Sequence, residues 1–119
     1  MKLSFGANIV ECSDILEGEI LRVTFDTLPP NSDEDERRSP YLSISRNFEF
    51  PGPATVEWHN GVDCGGAEIQ TVDLRRDRVL ATLDRAAEIE VTFRISDKEF
   101  ARLRSYLGSI LENRLTIAK

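Results

Sequence analysis

The sequence predicts an α+β fold: an antiparallel β-sheet meander of about seven strands with one C-terminal α-helix packed on one face. Three observations predict it. Apolar and polar residues alternate in short runs along most of the 119 residues. Turn-forming stretches separate the runs, which favours pairing of consecutive strands in antiparallel order. One stretch near the C-terminus changes from a period of two to helical spacing.

In chain order, residues 2–10 read as a strand, with Leu3 and Phe5 on one face and the alternation broken at Ile9 and Val10. Glu11-Cys12-Ser13-Asp14 reads as a turn. Residues 20–25 place Leu21, Val23 and Phe25 opposite Arg22 and Thr24, and these first two strands could pair antiparallel. Pro29-Pro30-Asn31-Ser32 stops the run, because neither proline can donate to a ladder. Residues 28–40 are then expected to form a mobile acidic loop.

Residues 41–49 return to strand, with Leu42, Ile44 and Phe48 sharing a face with Arg46. Pro51-Gly52-Pro53 ends that element. Ala54, Val56 and Trp58 alternate with Thr55, Glu57 and His59 in the next, and Trp58 reads as a core residue. Asn60-Gly61 and Asp63-Cys64-Gly65-Gly66 read as a flexible connection. Residues 67–74 follow as a strand, with Ile69 on one face and Val72 and Leu74 on the other. Arg75-Arg76-Asp77-Arg78 is a polar turn, and Val79, Ala81 and Leu83 mark another strand.

Residues 89–111 form the clearest module. Ile89, Val91, Phe93 and Ile95 alternate with Glu90, Thr92 and Arg94. Ser96-Asp97-Lys98-Glu99 is a capping box, in which the Ser96 hydroxyl accepts from the residue 99 amide and the Glu99 carboxylate from the residue 96 amide. Phe100, Leu103, Leu107, Ile110 and Leu111 then make one apolar stripe. That stripe is expected to bury against Ile89, Val91, Phe93, Ile95 and their neighbours. Residues 113–119 are expected to fray or to add a last turn.

The length suits a single domain, residues 1–119, with one modest core. The net charge of −6 argues against a phosphate-backbone binder, so no nucleic acid partner is expected, and it permits a basic protein partner. No apolar run reaches the ~20 residues of a membrane span, so no membrane is expected either. Residues 1–8 lack the apolar core of a signal peptide, and the two cysteines, Cys12 and Cys64, are too few for a disulfide framework. A reduced, cytoplasmic state follows as the default.

Candidate chemistry is sparse. His59 is the only histidine, and with Asp63 and Cys64 it forms the one cluster that invites a nucleophile or metal reading. No second histidine or CxxC accompanies it, so no metal, cofactor or catalytic residue is assigned. The plain readings are a solvent-facing His59 and a small apolar Cys64. Asp33, Glu34, Asp35 and Glu36 form an acidic run followed by Arg37-Arg38. It reads as a solvated loop or as a hook for a basic partner.

Tyr41-Leu42-Ser43-Ile44-Ser45-Arg46 leads to Val56-Glu57-Trp58-His59-Asn60, then Gly65-Gly66-Ala67-Glu68-Ile69 and Val72-Asp73-Leu74-Arg75-Arg76-Asp77-Arg78, ahead of the strand around Glu90 and the helix. This order resembles the immunity protein 10 family, antidotes encoded beside bacterial polymorphic toxins. In that family a strand of the form Y-L-x-I-x-R precedes a hydrophobic-E-x-x-D-Q strand end, a glycine turn and V-x-L-x-R-x-R. The resemblance covers most of residues 41–111, with Arg46, Glu57 and Gly66 as its distinctive points. Asn60-Gly61 stands where the family has its Asp-Gln pair.

The resemblance implies a binding protein, not an enzyme, that neutralises a cognate protein toxin by covering its active site or a nearby surface. An acidic inhibitor suits a basic toxin such as a nuclease. The contact regions it points to are Asp33, Glu34, Asp35 and Glu36, with the rim of Glu57, His59 and Asp63. Arg46 and Glu57 are themselves expected to form a cross-strand ion pair. Two alternatives stay open. One is a small cytosolic enzyme using Cys64 and His59. The other is an accessory subunit that associates through a sheet edge, a homodimer included.

Overall fold

Period-two patterning builds the sheet, and the parity of each strand decides which side chains meet the core. The structure is a computed structural model that describes residues 2–27, 40–50, 52–61, 63–84 and 87–117. Its strands are β1 (Lys2–Gly6), β2 (Ile9–Ile15), β3 (Ile20–Asp26), β4 (Tyr41–Asn47), β5 (Thr55–His59), β6 (Cys64–Leu74), β7 (Arg78–Leu83), β8 (Glu88–Thr92) and β9 (Leu115–Ile117), with helix α1 at Asp97–Leu111. The fold is α+β, a mostly antiparallel sheet with one C-terminal helix packed against it, and the sheet does not close into a barrel.

The sheet order is β1-β8-β7-β6-β5-β4-β3-β2, with β9 beside β6. From β2 to β8 every neighbour is antiparallel and consecutive in the chain, as a meander requires. The two terminal strands break the rule. β1 runs parallel to β8, and β9 runs parallel to β6.

The first expected strand is therefore two strands, and β1 does not pair with β3. The broken alternation at Ile9 and Val10 follows directly on the change of neighbour. The Ala7 amide donates to the Thr92 carbonyl and the Asn8 amide to the Asp26 carbonyl, each at 2.8 Å. The expected turn at 11–14 lies inside β2. The chain reverses instead after Ile15, where Leu16, Glu17 and Gly18 have positive φ and the Asp14 carboxylate accepts from the Gly18 amide at 2.6 Å.

β6 also differs from its reading. Cys64, Gly65 and Gly66 belong to the strand and pair with β5. Ile69, Val72 and Leu74 are all buried, although parity puts Ile69 opposite the other two. A register shift between Ile69 and Thr71 reconciles them, because one extra residue turns the later side chains to the same face.

Ser96 caps α1 as its sequence requires, accepting from the Glu99 amide at 3.1 Å while Glu99 accepts from the Ser96 amide at 3.3 Å. Leu103, Leu107, Ile110 and Leu111 are buried, and Phe100 is half-buried. The helix lies over β3 and β2, with β6 and β9 as further neighbours, and not chiefly over β8 as expected. The chain after Phe93 leaves the sheet before the helix starts, and the curl of the sheet brings β2 and β3 under the stripe. Phe25 of β3 and Phe93 stack at 5.9 Å and join the two regions within one core cluster. After a 3₁₀ turn at Glu112–Arg114, the last residues form β9 in place of a frayed end.

Gly65 has a packing reason. A Cβ there would stand 2.7 Å from Cζ2 and 3.0 Å from Cε2 of the Trp58 indole, which lies across the strand. Gly65→Ala is expected to destabilise the protein by about 1–3 kcal/mol through overpacking, read by urea unfolding. Unchanged stability would show that the indole moves aside freely.

Candidate interaction surface

With Leu42 and Ile44 of β4 buried, Tyr41, Ser43 and Ser45 must point to the outer face. Register then builds rows across β2 to β6. One row reads Asp26, Tyr41, His59 and Cys64. The next reads Glu11, Thr24, Ser43, Glu57 and Gly66, and the third Ser13, Arg22, Ser45, Thr55 and Glu68. Among the described residues of these rows, the carboxylates at positions 11, 26, 57 and 68 are accompanied by Arg22 as the one cation.

In the first of these rows the Tyr41 and His59 rings stack, with centroids 5.8 Å apart and planes 26° off parallel. His59 Nδ1 accepts from the Gly61 amide at 2.9 Å. That hydrogen bond occupies Nδ1 as an acceptor, which assigns the ring proton to Nε2. Asn60 shapes the adjoining turn, accepting from the Asp63 amide at 2.7 Å and donating its own amide to the Asp63 carbonyl at 3.0 Å. Gly61 takes a φ of 100° that this turn needs.

The expected site residues thus divide. Glu57 is exposed on the outer face, His59 half-buried at the end of β5, and Asp63 exposed in the turn. Asp33, Glu34, Asp35 and Glu36 lie outside the described residues. Glu11, Asp26, Tyr41 and Glu68 complete the face and were not singled out. Each sits at an outward position of its strand, so periodicity carried half the signal. The missing half was strand order, which periodicity does not contain.

The expected Arg46–Glu57 ion pair is not formed. Arg46 shares the inner parity of Leu42 and Ile44, whereas Glu57 pairs with Ser43 and points outward. Arg46 bonds instead to the Glu112 carboxylate at 2.9 Å and the Ile110 carbonyl at 3.3 Å, fastening the end of α1. Its guanidinium also lies 4.9 Å from the Phe48 ring centroid. A cation at a helix C-terminus is favourably placed against the helix dipole.

The cysteines differ in setting. Cys64 is exposed and stands opposite His59 in the register. Cys12 is half-buried beneath α1; burial pushes its thiol above the ordinary 9.0 and Glu11 adds to this, against the opposing pull of Arg102. Burial likewise pushes the Tyr41 phenol above 10.0, with further contributions from Glu57, Cys64 and Asp26. Among the described residues no group of three or more His, Cys, Asp or Glu could hold a metal ion. None of the described helices is long and apolar enough to cross a membrane.

Comparison of the chain with protein-family models and with curated proteins gives no match.

The raised groups set an alkaline limit. Cys12 and Tyr41 hold their protons more tightly folded than unfolded, so their contribution is complete below about pH 9 and is lost as pH rises through the raised values. Tm is expected to fall as pH rises above about 9, and the Cys12→Ala, Tyr41→Phe double variant to flatten that fall. An equally steep fall in the double variant would remove both groups as its cause.

Proposed function

We propose that the chain is an immunity protein, resembling the immunity protein 10 family, that binds and neutralises a cognate bacterial toxin without catalysing a reaction. The observation that carries this reading is the acidic outer face of β2 to β6, bordered at one edge by the Tyr41–His59 pair. Carboxylates arrayed on a face with one arginine suit a basic protein partner, and a nuclease is the class whose charge suits best. The stacked rings supply rigid contact area at the edge of that field, and aromatic rings are common interface anchors.

The residues that mark the resemblance support the same assignment. Arg46 is used inside the fold, on Ile110 and Glu112. Glu57 is exposed and makes no hydrogen bond or ion pair among the described residues, which leaves its carboxylate open to a partner. His59 and Asp63 form the adjoining rim, and the acidic run from Asp33 to Glu36, outside the described residues, is a further expected contact on its charge alone.

The test is co-expression rescue. The protein encoded by the adjacent upstream gene is expressed alone and together with this chain, and growth is followed. Toxicity that this chain relieves is the expected result; a harmless neighbour, or one that kills regardless, refutes the reading. In the purified complex, Glu57→Lys with Glu68→Lys is expected to slow association about 10–100-fold at low salt, with a smaller effect at high salt. An unaltered association rate would remove this face from the contact.

A further inference from the structure

We infer that the groove between α1 and β9 is a docking site for an extended acidic segment of a partner protein. This site lies apart from the toxin-binding face proposed above and does not depend on that reading. The groove is broadly open to solvent, offers about 720 Å³ and is lined chiefly by Arg76, Phe100, Ala101, Arg104, Gly108 and Ile117. That volume is in the range of ligand-binding clefts.

Its chemistry selects the occupant. Phe100, Ala101 and Ile117 make an apolar floor, and Ile117 is 38% exposed. Arg76 is held over the Phe100 ring at 4.9 Å by the Asp97 carboxylate and the Ile95 carbonyl, each at 2.9 Å. Arg104 makes no hydrogen bond or ion pair among the described residues. The groove thus sets two guanidiniums against one carboxylate, Asp97, in a chain whose net charge is −6. Positive charge beside an apolar floor is complementary to carboxylates spaced between apolar side chains.

Shape adds to charge. The groove follows the helix from Asp97 to Ser109, about 18 Å at 1.5 Å per residue. That length accommodates about five residues of extended chain. β9 has β6 as its only strand neighbour among the described residues, so its other edge keeps backbone groups that an added strand can use. A Cβ at Gly108 would meet nothing within 4 Å, so the groove stays open above the helix at that point.

The probe is a fluorescein-labelled hexapeptide of alternating leucine and glutamate, titrated with the intact chain and followed by fluorescence anisotropy. Saturable binding is expected, with the counterpart carrying lysine for glutamate failing to bind. Arg104→Glu is expected to weaken binding about tenfold or more. Gly108→Phe, which fills the groove without touching the core, is expected to abolish binding while Tm is retained. Glu57→Lys, on the other face, is expected to leave the peptide's affinity unchanged, which separates this result from any failure of toxin rescue. No saturable binding up to about 1 mM, equal binding of the lysine peptide, or indifference to both Arg104→Glu and Gly108→Phe would overturn the proposal.

Discussion

The amides of Ala7 and Asn8 donate to Thr92 and Asp26, carbonyls on the strands next to the two ends of the sheet order. A link of two residues reaches only about 7 Å, so it can join β1 to β2 only if those ends curl toward each other. The rest of the fold answers to this constraint. Curling makes one face concave, and a concave apolar face needs filling. Leu103, Leu107, Ile110 and Leu111 of α1 fill it from the side of β2 and β3. The bulge in β6 lets a single strand serve both halves, pairing with β5 through Cys64 to Glu68 and with β7 from Ile69 onward.

The fold class was legible because each layer has its own period. Val23, Phe25, Leu42, Ile44, Val79, Ala81, Leu83, Ile89 and Val91 follow the alternation and are buried, whereas Leu21, grouped with Val23 and Phe25, is half-buried and Phe48, grouped with Leu42 and Ile44, is exposed beyond the end of β4. The capping box was legible because it is local, needing only Ser96 and Glu99 three residues apart. What sequence left hidden was long-range. No local rule says that Lys2–Gly6 must pass over β2 and β3 to pair with β8, or that Leu115–Ile117 will add to β6. Gly65 and Gly66 looked like a loop because glycine is common in turns, whereas here the space under the Trp58 ring decides.

The interaction surface was legible in the same unequal way. Glu57, His59 and Asp63 were singled out; Glu57 lies in the middle row of the acidic face, His59 in its edge row and Asp63 in the turn beside it. Glu11 and Glu68 join Glu57 only once five strands are laid side by side in register. Arg46 was misread for a related reason. An arginine among apolar neighbours does need a partner, but the partner came from the helix end, 66 positions on at Glu112, and not from the adjacent strand.

The parallel pairing of β1 with β8 also has a temporal consequence. Lys2 meets Glu88, so β1 is made well before the strand it pairs with. The antiparallel hairpins from β2 to β7 can assemble as the chain lengthens, since each new strand finds its predecessor already present. β1 must wait, with its backbone groups unpaired, until residues 88–92 exist. Closing so long a loop is slow, and an early strand left waiting is open to wrong pairing. Its short length and the lysine at its start limit that exposure during synthesis.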